Sequence, residues 1–208
     1  MKNFNLIENP LVKRDVTILR NKETDTAAFR AALNRVSYAI AIELAKKFEL
    51  TEVEVSTPLE ITKGYKIKKQ IVLVPVLRAG LSMVDAFLKM IPDAKVGHIG
   101  LQRDEKTLQP VDYYYKTPSH LDQSVTIVLD PMLATGGSAV ASFNSLKKKG
   151  ANNCLLACLI AAPEGIKKME EEHPDIEIYS AALDRQLSDV GYILPGLGDA
   201  GDRTFGTF

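Results

Sequence analysis

The segment richest in chemistry runs Ile127-Val-Leu-Asp130-Pro131-Met132-Leu133-Ala134-Thr135-Gly136-Gly137-Ser138-Ala139. An apolar run delivers Asp130 at its carboxyl end, and Thr135, two glycines and Ser138 lead into the N-terminus of a predicted helix. Backbone N–H groups exposed there, with about half a positive charge from the helix dipole, make a cradle for phosphate. The glycines admit an anion without a Cβ in the way, and the two hydroxyls add donors. A carboxylate close upstream would repel the phosphate itself but suits sugar hydroxyls or a metal, so the pattern points to a sugar phosphate. The Gly-x-x-x-x-Gly-Lys pattern of a nucleoside-triphosphate loop is absent. The plainer alternative is an ordinary strand–turn–helix with Asp130 as a cap.

Val76-Leu-Arg78-Ala-Gly80-Leu81 follows directly on a second apolar run, Ile71 to Val76. Ligands of open parallel sheets sit beyond the carboxyl ends of strands, where glycine lets backbone approach an anion and arginine offers a planar fork of donors. A surface ion pair is the competing reading of Arg78. The densest glycine region is Gly191-Tyr-Ile193-Leu-Pro195-Gly196-Leu-Gly198-Asp199-Ala200-Gly201-Asp-Arg-Thr-Phe-Gly206. Its Gly196-x-Gly198-x-x-Gly201 matches the dinucleotide fingerprint formally, yet too few residues follow to supply the helix and second strand that fingerprint needs. Irregular glycine-rich backbone can instead present N–H and C=O groups edge-on to a flat heterocycle. Uracil, with two carbonyls flanking an N–H, suits such an alternating array. Cytosine would leave groups unpaired, and sites of that kind reject the mismatched analogue by roughly 10⁴-fold or more. A disordered tail is the alternative, opposed by the interleaved Pro195, Tyr192, Ile193 and Phe205.

These residues need a scaffold, and the chain is long enough to build one. Its 208 residues are 46% hydrophobic and 25% charged, which excludes disordered, collagen-like and coiled-coil classes. Twenty-six basic residues balance 26 acidic ones, so the net charge is zero and a dedicated nucleic-acid binder, which needs a basic surplus, is disfavoured. No apolar leader and no uninterrupted apolar stretch of about 18 residues is present, so a cytoplasmic, non-membrane protein is expected. Cys154 and Cys158 lie in an apolar run and read as core filling. A helix is predicted over 24–49, with Phe29, Val36, Ile40 and Leu44 on one face and Lys46 and Lys47 in its last turn. Pro58 and Gly64 mark a loop region. Strands are expected at Ile71–Val76, Lys95–Leu101, Val125–Leu129, Cys154–Ala161 and Ile176–Ala181. Helices are expected at Leu81–Ile91, following Gly136-Gly137-Ser138 and ending at Lys147-Lys-Lys-Gly150, and at Pro163–Glu172. The alternation implies one α/β domain over 1–208, a mainly parallel twisted sheet with helices on both faces. Arg103 to Gln123, polar and holding Tyr113, Tyr114 and Tyr115, breaks the alternation and reads equally as a closing lid or as a β-hairpin arm.

Taken together, Asp130-Pro-Met-Leu-Ala-Thr-Gly-Gly-Ser138, Val74-Pro-Val-Leu-Arg78-Ala-Gly-Leu81, Gly100-Leu-Gln-Arg103-Asp-Glu and the run from Gly191 to Thr207 resemble the uracil phosphoribosyltransferases, in order from about residue 8 onward. Arg20, Thr24, Phe29 and Arg30 also fit the family's early pattern. The resemblance implies a phosphoribosyltransferase fold with a protruding β-arm or flexible loop and a C-terminal hood over the base. It implies a pentosyltransferase of pyrimidine salvage that converts uracil and 5-phosphoribosyl 1-diphosphate (PRPP) to UMP and diphosphate with Mg²⁺. Arg78 and Arg103 would take the diphosphate side. Asp130, Pro131, Met132, Leu133, Ala134, Thr135, Gly136, Gly137 and Ser138 would hold the ribose 5-phosphate, with Asp130 on the ribose hydroxyls. Ile193, Gly198 and Ala200 would offer main-chain groups to uracil, and Asp199 would lie beside PRPP and base, a candidate for removing the N1 proton. Arg78, Arg103 and Asp199 are thus the catalytic candidates.

Leu129 stands where many phosphoribosyltransferases carry a second acid, so Mg²⁺ is expected to ride on the diphosphate without a direct protein ligand. Asn9-Pro-Leu-Val replaces the family's frequent His-Pro-Leu-Val, and Asn9 receives no role. The resemblance further implies a homodimer or higher homo-oligomer and raises GTP as an allosteric effector, on which the residues are silent. The competing classes are a non-catalytic PRPP-sensing regulator and a transferase for another base. Arg103→Ala is expected to lower turnover by orders of magnitude with an unchanged circular dichroism spectrum; wild-type kinetics would remove Arg103 from the site.

Overall fold

The structure, a computed structural model, describes residues 2–103 and 110–207, with the course of the backbone alone at 101–103 and 110–113. Its elements begin with β1 (Phe4–Leu6), α1 (Pro10–Arg20), α2 (Thr26–Ala45), β2 (Leu50–Ser56), β3 (Ile61–Ile67), β4 (Gln70–Leu77) and α3 (Leu81–Met90). There follow β5 (Lys95–Val96), β6 (His98–Arg103), β7 (Pro110–Lys116), a 3-10 turn at Leu121–Gln123, β8 (Ser124–Leu129), β9 (Met132–Leu133) and α4 (Gly137–Lys148). The remainder is β10 (Cys154–Ala161), α5 (Pro163–Glu172), β11 (Glu177–Leu183), β12 (Gln186–Leu187), β13 (Ile193–Leu194) and α6 (Ala200–Phe205).

Every residue of β8 and β10 is buried, as the near-continuous apolar composition of a doubly covered parallel sheet requires. The main sheet runs β1-β11-β10-β8-β4-β6-β7, with β5 beside β4 and β9 beside β10. Its pairs are parallel except β6 with β7. Leu19, Phe29, Leu33 and Phe87 bring α1, α2 and α3 onto one face, and Phe143, Leu146, Ile166 and Met169 bring α4 and α5 onto the other. β4 and β8 are neighbours, yet α3, which follows β4, and α4, which follows β8, lie on opposite faces. The chain therefore parts between the carboxyl ends of β4 and β8, a crevice that open α/β sheets use for ligands.

After β11 the chain returns over this crevice as the β12–β13 ribbon and α6. Polar groups from the first helices hold it. Arg20 pairs with the buried carboxylate of Asp184 and donates to the Gly196 carbonyl at 2.8 Å, while the Gly196 N–H donates to Asp184 Oδ2 at 2.8 Å. Arg203 donates to the Leu19 carbonyl and, at 2.8 and 2.7 Å, to those of Leu197 and Asn21, with its guanidinium 4.5 Å from the Phe29 ring centre. Arg30 Nε donates to the Thr204 carbonyl at 2.6 Å. Burial of the Arg203 head pushes its pKa down from the ordinary arginine value.

Several expectations are corrected. The stretch around Pro58 and Gly64 is not a loop but the antiparallel ribbon β2–β3, whose register pairs Leu50 with Ile67 and Ser56 with Ile61. The signal was weak because nearly every residue of it faces solvent, so no period-2 burial pattern exists to read. Helix α2 stops at Ala45, so Lys46 and Lys47 lie past its last turn, pairing with Glu43 and Glu177. The strand expected at Lys95–Leu101 is interrupted at Gly97, whose N–H donates to the Leu73 carbonyl at 2.8 Å. Of the two readings of 103–123, the described backbone is a hairpin, β6–β7, with Tyr115 packed inward and Tyr114 outward. The lid reading covers the same stretch, Arg103 to Gln123, and is compatible with the hairpin; residues 104–109 of it lie outside the described residues. Cys154 and Cys158 are free and buried, their thiols pushed up to about 12 by burial.

Asp184 is expected to be the weak point of the tail's attachment. Asp184→Ala removes the carboxylate that Arg20 and the Gly196 N–H share, and should destabilise the fold by about 3 kcal/mol, near the low end for a broken buried pair because Arg20 keeps part of its side chain in water. Urea denaturation checks this through a lowered midpoint at unchanged slope.

Candidate functional site

Beyond β4 and β8 lies an open cleft of about 340 Å³. Its floor is the end of β4 and the loop after β8, with Arg78, Asp130, Met132, Ala134 and Ser138; its roof is the returning tail, with Ile193, Gly198, Asp199 and Ala200. The structure thus brings to one place the residues singled out at both strand ends and in the glycine cluster. Pro131, Leu133, Thr135, Gly136 and Gly137 complete the same loop. Arg103 ends β6, and its side chain lies outside the described residues.

The turn after β4 needs glycine at position 80, since a Cβ there would overlap the Leu129 carbonyl oxygen and the Val76 backbone. The peptide Leu77–Arg78 is cis. Arg78 is not a bare phosphate hook: Nη2 donates to Asp202 Oδ1 at 3.0 Å and Nη1 to Thr207 Oγ1 at 3.3 Å. The loop after β8 is stitched to β10, with the Leu159 and Ile160 N–H groups donating to the Pro131 carbonyl and the Ala162 N–H to the Leu133 carbonyl. Gly136, at φ +78°, caps α4, so the first N–H groups of that helix open toward the loop. The Thr135 hydroxyl accepts from the Gly137 N–H at 3.4 Å. Sequence reasoning missed Gly165 on α5, where a Cβ would run into the Ala134 carbonyl oxygen; that contact presses α5 against the loop.

Asp130 accepts one hydrogen bond, from the Met132 N–H at 3.3 Å. Burial outweighs this bond and pushes its carboxyl from the ordinary 3.8 up to about 7. Asp199 caps α6, its Oδ1 accepting from the Asp202 N–H at 2.8 Å. Asp202 in turn is held below the usual carboxylate range by the Thr207 hydroxyl and by Arg78. Asp184, Asp202 and Thr207 were not picked out from the sequence; Asp202 and Thr207 lay within the glycine motif, but nothing in spacing singles out acids that bind other side chains. Tyr192 and Gly191 also border the cleft.

A strand–loop–helix roofed by a returning tail, set in this topology, is the fold of the phosphoribosyltransferases. Solved structures of a purine phosphoribosyltransferase from Pyrococcus horikoshii (TM-score 0.53, 15% identity, 88% of this chain and 89% of that one) and of hypoxanthine phosphoribosyltransferase from Trypanosoma cruzi (0.52, 11%, 76% and 75%) share the fold. The family model described as uracil phosphoribosyltransferase matches residues 6–207. Relatives of that name from Streptococcus mutans and Bacillus cytotoxicus are 51% identical over 100% of both chains and 54% identical over 97% of both. A solved structure of a protein from Aquifex aeolicus superimposes with a TM-score of 0.92 at 36% identity over 98% of each chain. The chain belongs to the uracil phosphoribosyltransferase family.

The raised pKa of Asp130 carries a sign. The folded protein keeps a proton that the unfolded chain releases near 3.8, so stability falls as pH rises from there to about 7, and the full penalty stands above that. Asp130→Asn, of the same shape without the charge, is expected to raise the melting temperature at pH 8 and to raise it less as pH is lowered toward 5. Calorimetry across that range checks it; a gap independent of pH would mean the carboxyl is not desolvated.

Proposed function

We propose that the protein transfers the 5-phosphoribosyl group of PRPP to N1 of uracil, giving UMP and diphosphate. The observation that carries this reading is the facing of a phosphate-loop helix N-terminus and a peptide-lined roof across one cleft, in a chain of this family. In this reading the segment from Asp130 to Ser138 holds the ribose 5-phosphate, Asp130 accepts from the ribose hydroxyls, and Arg78 and Arg103 grip the diphosphate. Ile193, Gly198 and Ala200 offer main-chain groups to the base, which exclude cytosine by leaving its amino group and the peptide donors unpaired.

The bond from N1 to the anomeric carbon forms as the bond from that carbon to diphosphate breaks. The electron pair leaves on the diphosphate, and the N1 proton is lost. Diphosphate on a cation is already a good leaving group, so the chain's task is positioning and charge stabilisation. Asp130 and Asp199 face the cleft, while among the described residues no three His, Cys, Asp or Glu groups converge. This donor set fits Mg²⁺ carried by substrate oxygens with at most a carboxylate or two from the protein. When bound, the ion neutralises charge developing on the diphosphate. Asp199 stands beside the base site as the candidate acceptor of the N1 proton.

We further propose that two copies pair through β2–β3. A two-stranded ribbon is marginal alone, and among the described residues nothing covers Leu59, Ile61 and Tyr65, which are exposed. Among the described residues no helix is long and apolar enough to cross a membrane. The free thiols suit a reducing compartment, and the cytoplasm is the proposed location.

Formation of UMP from uracil and PRPP, followed with and without Mg²⁺, tests the reading. Uracil is expected to react at least about 10⁴ times faster than cytosine or hypoxanthine at equal concentration. Preference for hypoxanthine would identify a transferase for another base, and tight RNA binding without turnover a regulator. The same assay with added GTP reads the effector expectation.

A further inference from the structure

The Arg78 guanidinium sits at the cleft wall on a side chain that is 59% exposed. Left alone, such a side chain would sample many rotamers, and ordering it would weigh against donor binding. It is held from the tail. Asp202 Oδ1 accepts from Arg78 Nη2 at 3.0 Å and from the Thr207 hydroxyl at 2.7 Å, and that hydroxyl accepts from Arg78 Nη1 at 3.3 Å. The three groups close a ring of hydrogen bonds. Gly206, left-handed at φ +71°, turns the chain so that Thr207 comes back over Asp202, and the N–H groups of Gly206 and Thr207 donate to the Asp202 carbonyl at 2.7 and 3.2 Å. On its other side, Asp202 donates its own N–H to Asp199, at the base end of the cleft. A guanidinium has five N–H donors, and these contacts engage two, so Arg78 can stay on Asp202 and still present a fork to an anion.

We infer that Asp202, with Thr207 as its bridge, is a positioning residue: it fixes the Arg78 guanidinium toward the diphosphate of the donor and ties it to the helix that borders the base. The inference rests on the proposed role of Arg78 as a donor contact. It makes α6 a shared part of both substrate sites, one end meeting the base and the next turn aiming the arginine.

The obvious rival is a local one, since an acid in the first turn of α6 also favours the helix dipole. Three kinds of variant separate the two. Asp202→Ala and Thr207→Val are expected to raise KM for PRPP and lower kcat/KM for PRPP about tenfold, a scale set by misplacing one catalytic group, with KM for uracil and the melting temperature little changed. Thr207→Ser, which restores the hydroxyl without touching the helix dipole, is expected to recover most of what Thr207→Val loses. In an Arg78→Ala background, adding Asp202→Ala is expected to lower kcat/KM no further.

Wild-type PRPP kinetics in Asp202→Ala and Thr207→Val beside a crippled Arg78→Ala would overturn the positioning role and leave the site reading intact. An undiminished Asp202→Ala effect in the Arg78→Ala background would also overturn it, in favour of the dipole role. Wild-type kinetics in Arg78→Ala itself would overturn the reading of Arg78, and this inference with it.

Discussion

An irregular, glycine-rich roof keeps one shape only if side chains anchor it from both sides. Here the buried Asp184 carboxylate, shared between Arg20 and the Gly196 N–H, supplies the missing rigidity, and Arg203 adds a second anchor through the carbonyls of Leu19, Leu197 and Asn21. Both arginines satisfy main-chain oxygens that would otherwise be desolvated without partners in an irregular segment. The tail can therefore leave other peptide groups facing the cleft, where a flat ring can use them. Without these anchors the glycines of 191–206 would favour many backbone paths, and the roof would be an ensemble.

The floor is fixed by a different constraint. Since α3 and α4 leave β4 and β8 toward opposite faces, the strand ends stay uncovered, and Gly80 and Gly165 let neighbouring backbone press close around the opening. Asp130, half-buried on this floor, has its carboxyl pushed up by desolvation. A carboxylate held partly protonated near neutrality is a poor contributor to folding but a responsive partner for hydroxyl groups, the sort of local conflict that functional sites retain. Its position and the attachment of the tail are thus two sides of one design: stability is supplied at Asp184 and given up at Asp130.

Much of this was legible in the residues. β10 and α5 fall where the apolar run Cys154–Ala161 and the Pro163 start place them, and Phe29, Val36, Ile40 and Leu44 are all buried on one side of α2. The loop from Asp130 and the glycine cluster stood out because phosphate cradles and peptide-lined pockets demand particular residue types in short order, and the fold brings both to one cleft. The ribbon β2–β3 was not, because its residues mostly face water and strand pairing without burial leaves no periodic trace. Nor were Asp184, Asp202 and Gly165. Their importance lies in contacts with Arg20, Arg78 and Ala134, and distance along a chain says nothing about which acid meets which base. The early residues Arg20, Thr24, Phe29 and Arg30 could be matched to a pattern, yet only the folded tail shows what they serve: all four touch it or the Arg203 that belongs to it.

The tail's attachment also bears on how the protein comes together. Arg20 lies 164 positions from Asp184 and 176 from Gly196, and Arg203 lies 184 from Leu19. Contacts of such span close the largest loops the chain has, and the entropy of that closure is met only once the intervening sheet is in place. The roof of the cleft is consequently a property of the completed topology alone. A chain that has formed only β8 and α4 has part of the floor of the cleft and lacks its roof.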